Sequence, residues 1–237
     1  MDRMNLLKLI KDNAEKPRTW SIKAEGDELV LYIYDVIGGF FGGVNAQEVA
    51  EALDEHPHAT SIHVRINSPG GDVFDGVAIG DALKRHPAQV YAHIDGLAAS
   101  AATGVAMAAD WVEIAEGGMF MIHNAWTIVM GNRHEMTATA TLLGKVDADI
   151  NKTYAKKTGA STEQITEWMD AETWFTAEEA KEAGFVDAIA DEEAQNRAWK
   201  LSAYKNAPQI EPSEPTVERP DFAAMERRLK LLEKSTA

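Results

Sequence analysis

The sequence predicts an α/β fold, because strand-like and helix-like segments alternate between about residues 27 and 204. Residues 29–36 (LVLYIYDV) are rich in β-branched and aromatic side chains, which favour a strand. Asn45 and Glu48 have the spacing of a capping box at the start of a helix. Residues 62–66 (IHVRI) alternate between apolar and polar side chains, as a half-buried strand does.

The later elements are predicted in the same way from periodicity, turn residues and helix caps. Apolar residues at helical spacing begin at residue 73, directly after a turn formed by Asn-Ser-Pro-Gly-Gly. The further expected elements are a strand at 90–94, an alanine-rich helix at 98–109, strands at 111–115 and 119–122, a long helix at 134–157, helices capped by Ser161 with Gln164 and by Thr176 with Glu179, and a strand at 185–188.

The ends of the chain differ in composition from its centre. Residues 1–26 form an N-terminal segment with the apolar spacing of a short amphipathic helix. Four of the 8 prolines fall within residues 205–220, where they prevent helix and strand and indicate a linker. Residues 221–237 have the pattern of a short amphipathic helical tail. We therefore expect residues 27–204 to be the folded domain and the last 33 residues, 205–237, to be a flexible appendage.

Composition excludes several classes of protein. The net charge of −15 disfavours binding to a nucleic-acid backbone, and the lack of cysteine excludes disulfides and thiolate metal sites. The N-terminus has no signal-peptide pattern, and the longest nearly apolar stretch, 97–109, is too short to cross a bilayer. We expect a cytoplasmic protein with no membrane partner, no metal and no cofactor, since neither a P-loop nor a dinucleotide-binding glycine pattern occurs.

Ser100 and His123 are the residues that could carry out chemistry together. Ser100 falls at the expected start of the alanine-rich helix, where free N–H groups favour a developing negative charge. His123 ends an apolar strand, where its imidazole could act as the base that a serine nucleophile needs. The Gly70–Gly71 turn could present backbone N–H groups to an oxyanion. From spacing alone, each of these residues also has an ordinary structural interpretation.

Four motifs, taken in order, resemble those of the proteolytic subunit of Clp protease (ClpP). They are INSPGG at 66–71, GLAASAA at 96–102, MIHN at 121–124, and the segment from STEQI to AGFVD at 161–187. The resemblance implies a fold of stacked βαβ units, of the type shared by ClpP and crotonases, in a single protease domain. It also implies a Ser-His-acid peptidase that needs no cofactor and assembles as a homo-oligomeric ring acting on polypeptides.

The resemblance assigns roles to residues by position. Ser100 is the nucleophile, His123 is the base, and Gly71 and Ala101 supply the N–H groups of the oxyanion hole. Glu172 stands where the family has an aspartate, and a glutamate can orient a histidine if the backbone accommodates its extra methylene. Asp170 is the alternative acid.

Two further carboxylates, Asp147 and Asp149, are more remote options for the acid. Ala171 replaces an arginine that is common in the family, and this substitution puts the usual contact between rings in doubt.

With its N-terminal segment and its Pro-rich tail, the chain resembles the ClpP-related head maturation proteases of tailed bacteriophages. That resemblance implies cleavage of scaffold and capsid protein segments, in the host cytoplasm or inside the procapsid. Three alternatives stay open: a housekeeping ClpP that works with an unfoldase, a crotonase-like acyl-CoA enzyme, and a catalytically inactive scaffolding protein.

Overall fold

The computed structural model describes residue 13 and residues 19–38, 43–194 and 199–208. Within these residues the strands are β1 (Thr19–Glu25), β2 (Glu28–Tyr34), β3 (Ser61–Ser68), β4 (Gln89–Ala99), β5 (Trp111–Glu116), β6 (Met119–Ile122), β7 (Thr173–Thr176) and β8 (Ala188–Glu193). The helices are α1 (Ala46–Asp54), α2 (Val73–Arg85), α3 (Ala101–Ala106), α4 (Arg133–Thr158), α5 (Thr162–Asp170) and α6 (Ala177–Glu182). This is the α/β arrangement that the sequence predicts.

The described strands form one sheet with the order β1-β2-β3-β4-β5-β8. The β1–β2 hairpin is antiparallel, and the pairs from β2 to β8 along this order are parallel. Side chains alternate between buried and partly exposed along β2, β3 and β4. The buried set forms the main core with the helices that connect the parallel strands.

Strand β4 changes partner along its length, and this change creates the edge on which the candidate site lies. Its first half pairs with β5, whereas residues 97–99 pair in parallel with β6. Strand β6 then pairs antiparallel with β7, so that Ile122 lies opposite Thr173. The end of β4, the end of β6 and the start of β7 therefore meet at one place.

The alanine-rich helix expected at 98–109 is shorter than the sequence predicts. Residues 98 and 99 belong to β4, and α3 spans only Ala101–Ala106. Both Ala98 and Ala99 are fully buried, and the ladders to β3 and β6 use their backbone groups. Pairing in the sheet thus overrides the helix propensity of alanine, which is a weak determinant.

Helices α2 and α3 pack closely because small residues face each other. A Cβ atom added at Gly76 would lie 3.0 Å from the Ala101 carbonyl oxygen, and one at Gly80 would lie 3.3 Å from Ala108 Cβ. Thr103 on α3 hydrogen-bonds the Tyr154 hydroxyl at 2.5 Å and so links α3 to the long helix α4. The segment that carries Ser100 is held on two sides.

Helix α4 is long but contributes little to the core of this chain. Its buried side chains are Asn151 and Tyr154, both near its C-terminal end. Met136 and Leu142 on its first half are 43% and 53% exposed, and Met130 in the preceding loop is 90% exposed. The apolar positions of the first half therefore lie on the surface.

The helix caps and strand ends agree only in part with those predicted from the sequence. The capping box of Thr176 and Glu179 is confirmed, whereas Asn45 caps α1 by accepting from the Gln47 N–H. The strand expected at 185–188 begins only at Ala188. Phe185 and Val186 are instead buried in the turn that follows α6, because their backbone N–H groups bond the Ala180 carbonyl.

Residues near the expected domain boundaries also take part in the folded body. Strand β1 lies within the segment expected to precede the domain, and its partner is β2. Lys205 and Asn206, expected to start the linker, donate backbone hydrogen bonds to Glu172, so the expectation of a flexible appendage is wrong for these two residues. The amphipathic patterns expected near the N-terminus and at 221–237 lie outside the described residues. No helix among the described residues is long and apolar enough to span a membrane.

Candidate active site

The turn from β4 to α3 presents Ser100. Ser100 precedes α3 with φ 54° and ψ −124°, a strained backbone conformation for a residue with a side chain. Its N–H bonds the Met121 carbonyl at 2.9 Å, and Thr103 donates to its carbonyl. These bonds fix the serine at the end of β4, beside the end of β6.

His123 lies within reach of that serine. Its Nε2 is 2.8 Å from Ser100 Oγ, a hydrogen-bonding distance suited to a nucleophile and its base. Burial lowers the pKa of His123 to about 4, although the nearby Glu172 charge acts in the opposite direction. The imidazole is therefore neutral near pH 7, which is the state in which it can accept a proton.

Glu172 lies near His123, because the antiparallel register of β6 and β7 brings the residues after Ile122 and before Thr173 together. His123 follows Ile122 and Glu172 precedes Thr173, and these two neighbours are paired across the ladder. The Glu172 carboxylate accepts from the backbone N–H groups of Lys205 and Asn206 instead of from His123. It influences the imidazole only through its charge in this structure.

The alternative acids belong to other contacts. Asp170 accepts a 2.6 Å hydrogen bond from the side-chain amide of Asn124. Asp147 accepts from the Ala125 N–H, and burial raises the pKa of this carboxyl. Asp149 pairs with Lys152 on the exposed side of α4. The described contacts of these three carboxylates do not include His123.

The turn at 69–71 lies directly against the serine. A Cβ atom added at Gly70 would lie 2.7 Å from Ser100 Cβ and 3.0 Å from the Ala101 nitrogen. Ile37 holds this turn by two backbone hydrogen bonds: its N–H donates to the Gly70 carbonyl, and its carbonyl accepts from the Asp72 N–H. The Gly71 N–H takes part in none of the described hydrogen bonds. The Ala101 N–H, at the start of α3, is likewise outside them. Both N–H groups are thus available to a negatively charged oxygen next to Ser100.

A segment near the C-terminus covers this arrangement, and sequence reasoning missed it. The Tyr204 ring contacts His123 edge to face, with ring centroids 5.4 Å apart. Its hydroxyl donates to the Pro69 carbonyl. Tyr204 stands next to a proline-rich stretch, and no spacing rule links it to a serine a hundred residues earlier, so the sequence carries no signal for this contact.

Comparison with known proteins identifies the family of the domain that carries this site. Residues 45–193 match the family described as Clp protease. The chain belongs to the Clp protease family. Among the described residues, no group of three histidine or acidic side chains has an arrangement that could hold a metal ion.

Relatives in the Clp protease family share about a third of their residues with the matched part of this chain. Subunit 1 of the ATP-dependent Clp protease of Bacillus cereus is 35% identical over 146 residues, which cover 59% of this chain and 73% of that protein. Subunit 2 from Corynebacterium efficiens is 34% identical over 54% of this chain, which spans only 65% of that relative's length. A solved structure of a ClpP1 point mutant from Listeria monocytogenes superposes with a TM-score of 0.61 at 28% identity, covering 70% of this chain and 92% of that one.

Proposed function

We propose that this chain is a serine endopeptidase in which Ser100, His123 and Glu172 act as nucleophile, base and acid. The observation that carries the proposal is the 2.8 Å contact between His123 Nε2 and Ser100 Oγ beside two backbone N–H groups that make no described hydrogen bond. Membership of the Clp protease family supports this reaction class. The same membership argues against the crotonase-like alternative.

The geometry is suited to a two-step acyl transfer, in which Ser100 is first acylated and the acyl-serine is then hydrolysed. Ser100 Oγ attacks the substrate carbonyl carbon while His123 Nε2 takes the hydroxyl proton, and the Gly71 and Ala101 N–H groups bind the oxyanion. The imidazolium then gives its proton to the leaving amine, and the peptide C–N bond breaks to leave an acyl-serine. Water, deprotonated by the same imidazole, hydrolyses the ester. Glu172 stabilises the imidazolium when it accepts from Nδ1.

Labelling with a fluorophosphonate tests the reaction class. We expect the probe to add to Ser100, shown by intact mass and peptide mapping, and we expect no addition to Ser100→Ala. Hydrolysis of a fluorogenic peptide should fall by about a thousandfold or more in Ser100→Ala and His123→Ala, because either change removes the paired nucleophile or base. Absence of labelling both in the folded wild-type protein and in a folded Tyr204→Ala variant, which lacks the ring over His123, would instead favour the catalytically inactive scaffolding protein.

We also propose a finer role, that of a head maturation protease acting on scaffold and capsid protein segments as a homo-oligomer. Two features support it: the glutamate at the position where the family has an aspartate, and residues 199–207, which pack over the site and lie beyond the matched Clp protease region. The exposed apolar side chains of Met136 and Leu142 on α4 offer a surface for contact with a second copy.

Two incubations with protein substrates distinguish head maturation from the housekeeping alternative. Cleavage of a folded capsid precursor with its scaffolding segment, without ATP or unfoldase, would support head maturation. Degradation that requires a Clp unfoldase and ATP would favour the housekeeping alternative. Size-exclusion chromatography with light scattering measures the oligomeric state in the same samples.

A further inference from the structure

Residues 199–207 lie across the end of the sheet that carries the candidate site. Leu201 and Ala203 are buried, and Leu201 packs in a small apolar cluster with Leu97, Ala99 and Met121. This cluster is separate from the main core. The segment thus covers the apolar side chains next to the nucleophile turn.

Both ends of the segment are held by polar contacts with the domain. The Trp199 indole N–H donates to Asn67 Oδ1 at 2.9 Å. At the other end, the Asn206 side-chain amide donates to the Ala171 carbonyl at 2.7 Å. The first contact lies just before the glycine turn and the second just before Glu172, so the segment bridges the two sides of the site.

Tyr204 lies between His123 and the glycine turn, at the approach that a substrate carbonyl must take. Its hydroxyl donates to the carbonyl of Pro69, in the turn that also contains Gly71. Burial raises the pKa of this phenol, and its ring contacts His123, whose Nε2 lies 2.8 Å from Ser100 Oγ. A peptide carbonyl must lie between Ser100 Oγ and the Gly71 N–H in order to react. The phenol and a bound substrate therefore exclude one another.

Glu172 is engaged by the same segment. The Asn206 N–H lies 2.7 Å from Glu172 Oε1, and the Lys205 N–H lies 3.1 Å from Oε2. Hydrogen bonds to a carboxylate are among the stronger ones in proteins. In this arrangement the carboxylate is oriented toward the segment and makes no described hydrogen bond with His123, so the imidazole lacks the partner that would stabilise its protonated form.

We propose that residues 199–207 form an autoinhibitory strap, which covers Ser100 and His123 and holds the Glu172 carboxylate until a peptide substrate displaces it. This inference rests on the proposed peptidase function. Displacement opens the space beside the serine and frees Glu172 to turn toward His123. One movement thus admits the substrate and completes the catalytic group.

Two substitutions weaken the strap without altering the catalytic side chains. Tyr204→Ala removes both the ring over His123 and the hydroxyl that donates to the Pro69 carbonyl. Lys205→Pro removes one N–H donor to Glu172, whereas the matched control Lys205→Ala keeps that donor and changes only an exposed side chain. We expect a fluorophosphonate to label Ser100 about tenfold faster in Tyr204→Ala and Lys205→Pro, because the loss of one contact of this strength shifts the closed state by about that factor. Lys205→Ala should label at the wild-type rate.

Hydrogen–deuterium exchange in the Ser100→Ala protein tests the strap without any need for activity. We expect the Lys205 and Asn206 amides to exchange slowly, and to lose this protection when Tyr204→Ala is added. Exchange at the rate of an unstructured chain in the parent protein would show that the strap is absent.

The labelling results have equally definite meanings. Slow exchange together with equal or slower labelling in both strap variants would show that the segment supports the site and does not inhibit it, which overturns the proposal. If no folded variant is labelled at Ser100 while the amides remain protected, the peptidase function itself is wrong, and the inhibitory role fails with it.

Discussion

Replacement of Gly70 by alanine should damage catalysis as well as stability. Gly70 has φ +86°, a left-handed conformation that costs a residue with a Cβ about 1–2 kcal/mol. The new methyl group would also lie 2.4 Å from the Ala99 carbonyl oxygen and 2.7 Å from Ser100 Cβ. The carbonyl oxygen must recede by about 1 Å to reach the 3.4 Å of ordinary contact, and the turn that carries Ser100 moves with it.

The size of the effect follows from that displacement. A misplacement of a reacting group by about 1 Å typically costs about a hundredfold in rate, so kcat/KM for a fluorogenic peptide should fall by about that factor in Gly70→Ala. The rate at which a fluorophosphonate labels Ser100 should fall in parallel, because the probe depends on the same serine and oxyanion site.

Gly159 provides a matched control. Its φ of +75° imposes the same left-handed strain on an alanine, but an added Cβ would meet nothing within 4 Å. We expect Gly159→Ala to lower Tm by about 2–4 °C for each kcal/mol lost and to leave kcat/KM unchanged. Wild-type kcat/KM in a folded Gly70→Ala protein would refute the close approach of the glycine turn to Ser100.

Three further outcomes follow from the site and the chain. Glu172→Gln should lower kcat/KM strongly and Asp170→Asn only mildly, because the β6–β7 register places Glu172 opposite His123; a crippling Asp170→Asn variant would transfer the role to that residue. Burial lowers the pKa of His123 from 6.5 to about 4, so between these pH values the unfolded chain binds more protons than the folded protein does. The free energy of unfolding should therefore fall as pH drops from 6.5 to 4. Urea titrations should show a smaller dependence of this free energy on pH in His123→Gln than in the wild type, and an equal dependence would contradict a buried neutral imidazole. Truncation after Pro208 should leave the number of subunits per oligomer unchanged in light scattering, since the described body keeps its strap and its exposed α4 surface; a shift to monomer would show that the removed tail drives assembly.

Sequence signals predict the class of fold and, through the family motifs, the candidate pair Ser100 and His123. The alternation of strand and helix patterns predicts an α/β sheet because side-chain periodicity reports directly which faces are buried. Ser100 and His123 were predicted from motifs around a glycine turn and a strand end, and these motifs reflect backbone requirements that a few adjacent residues satisfy. The Thr176 capping box is predictable for the same reason, since donor and acceptor lie three residues apart.

Tertiary structure decided the features that depend on pairing between distant segments. Alanine favours helix, but pairing with β3 and β6 makes Ala98 and Ala99 strand residues. Ser100 therefore lies at the end of strand β4, just before α3, and not inside a helix. The position of Glu172 opposite His123 depends on the antiparallel register of β6 and β7, which no local pattern encodes. Tyr204 reaches the site through contacts with residues more than a hundred positions away. Motifs can predict candidate reactive residues, because the backbone requirements of such residues are local. Which groups cover them or bond to them depends on how residues 199–207 pack against the sheet.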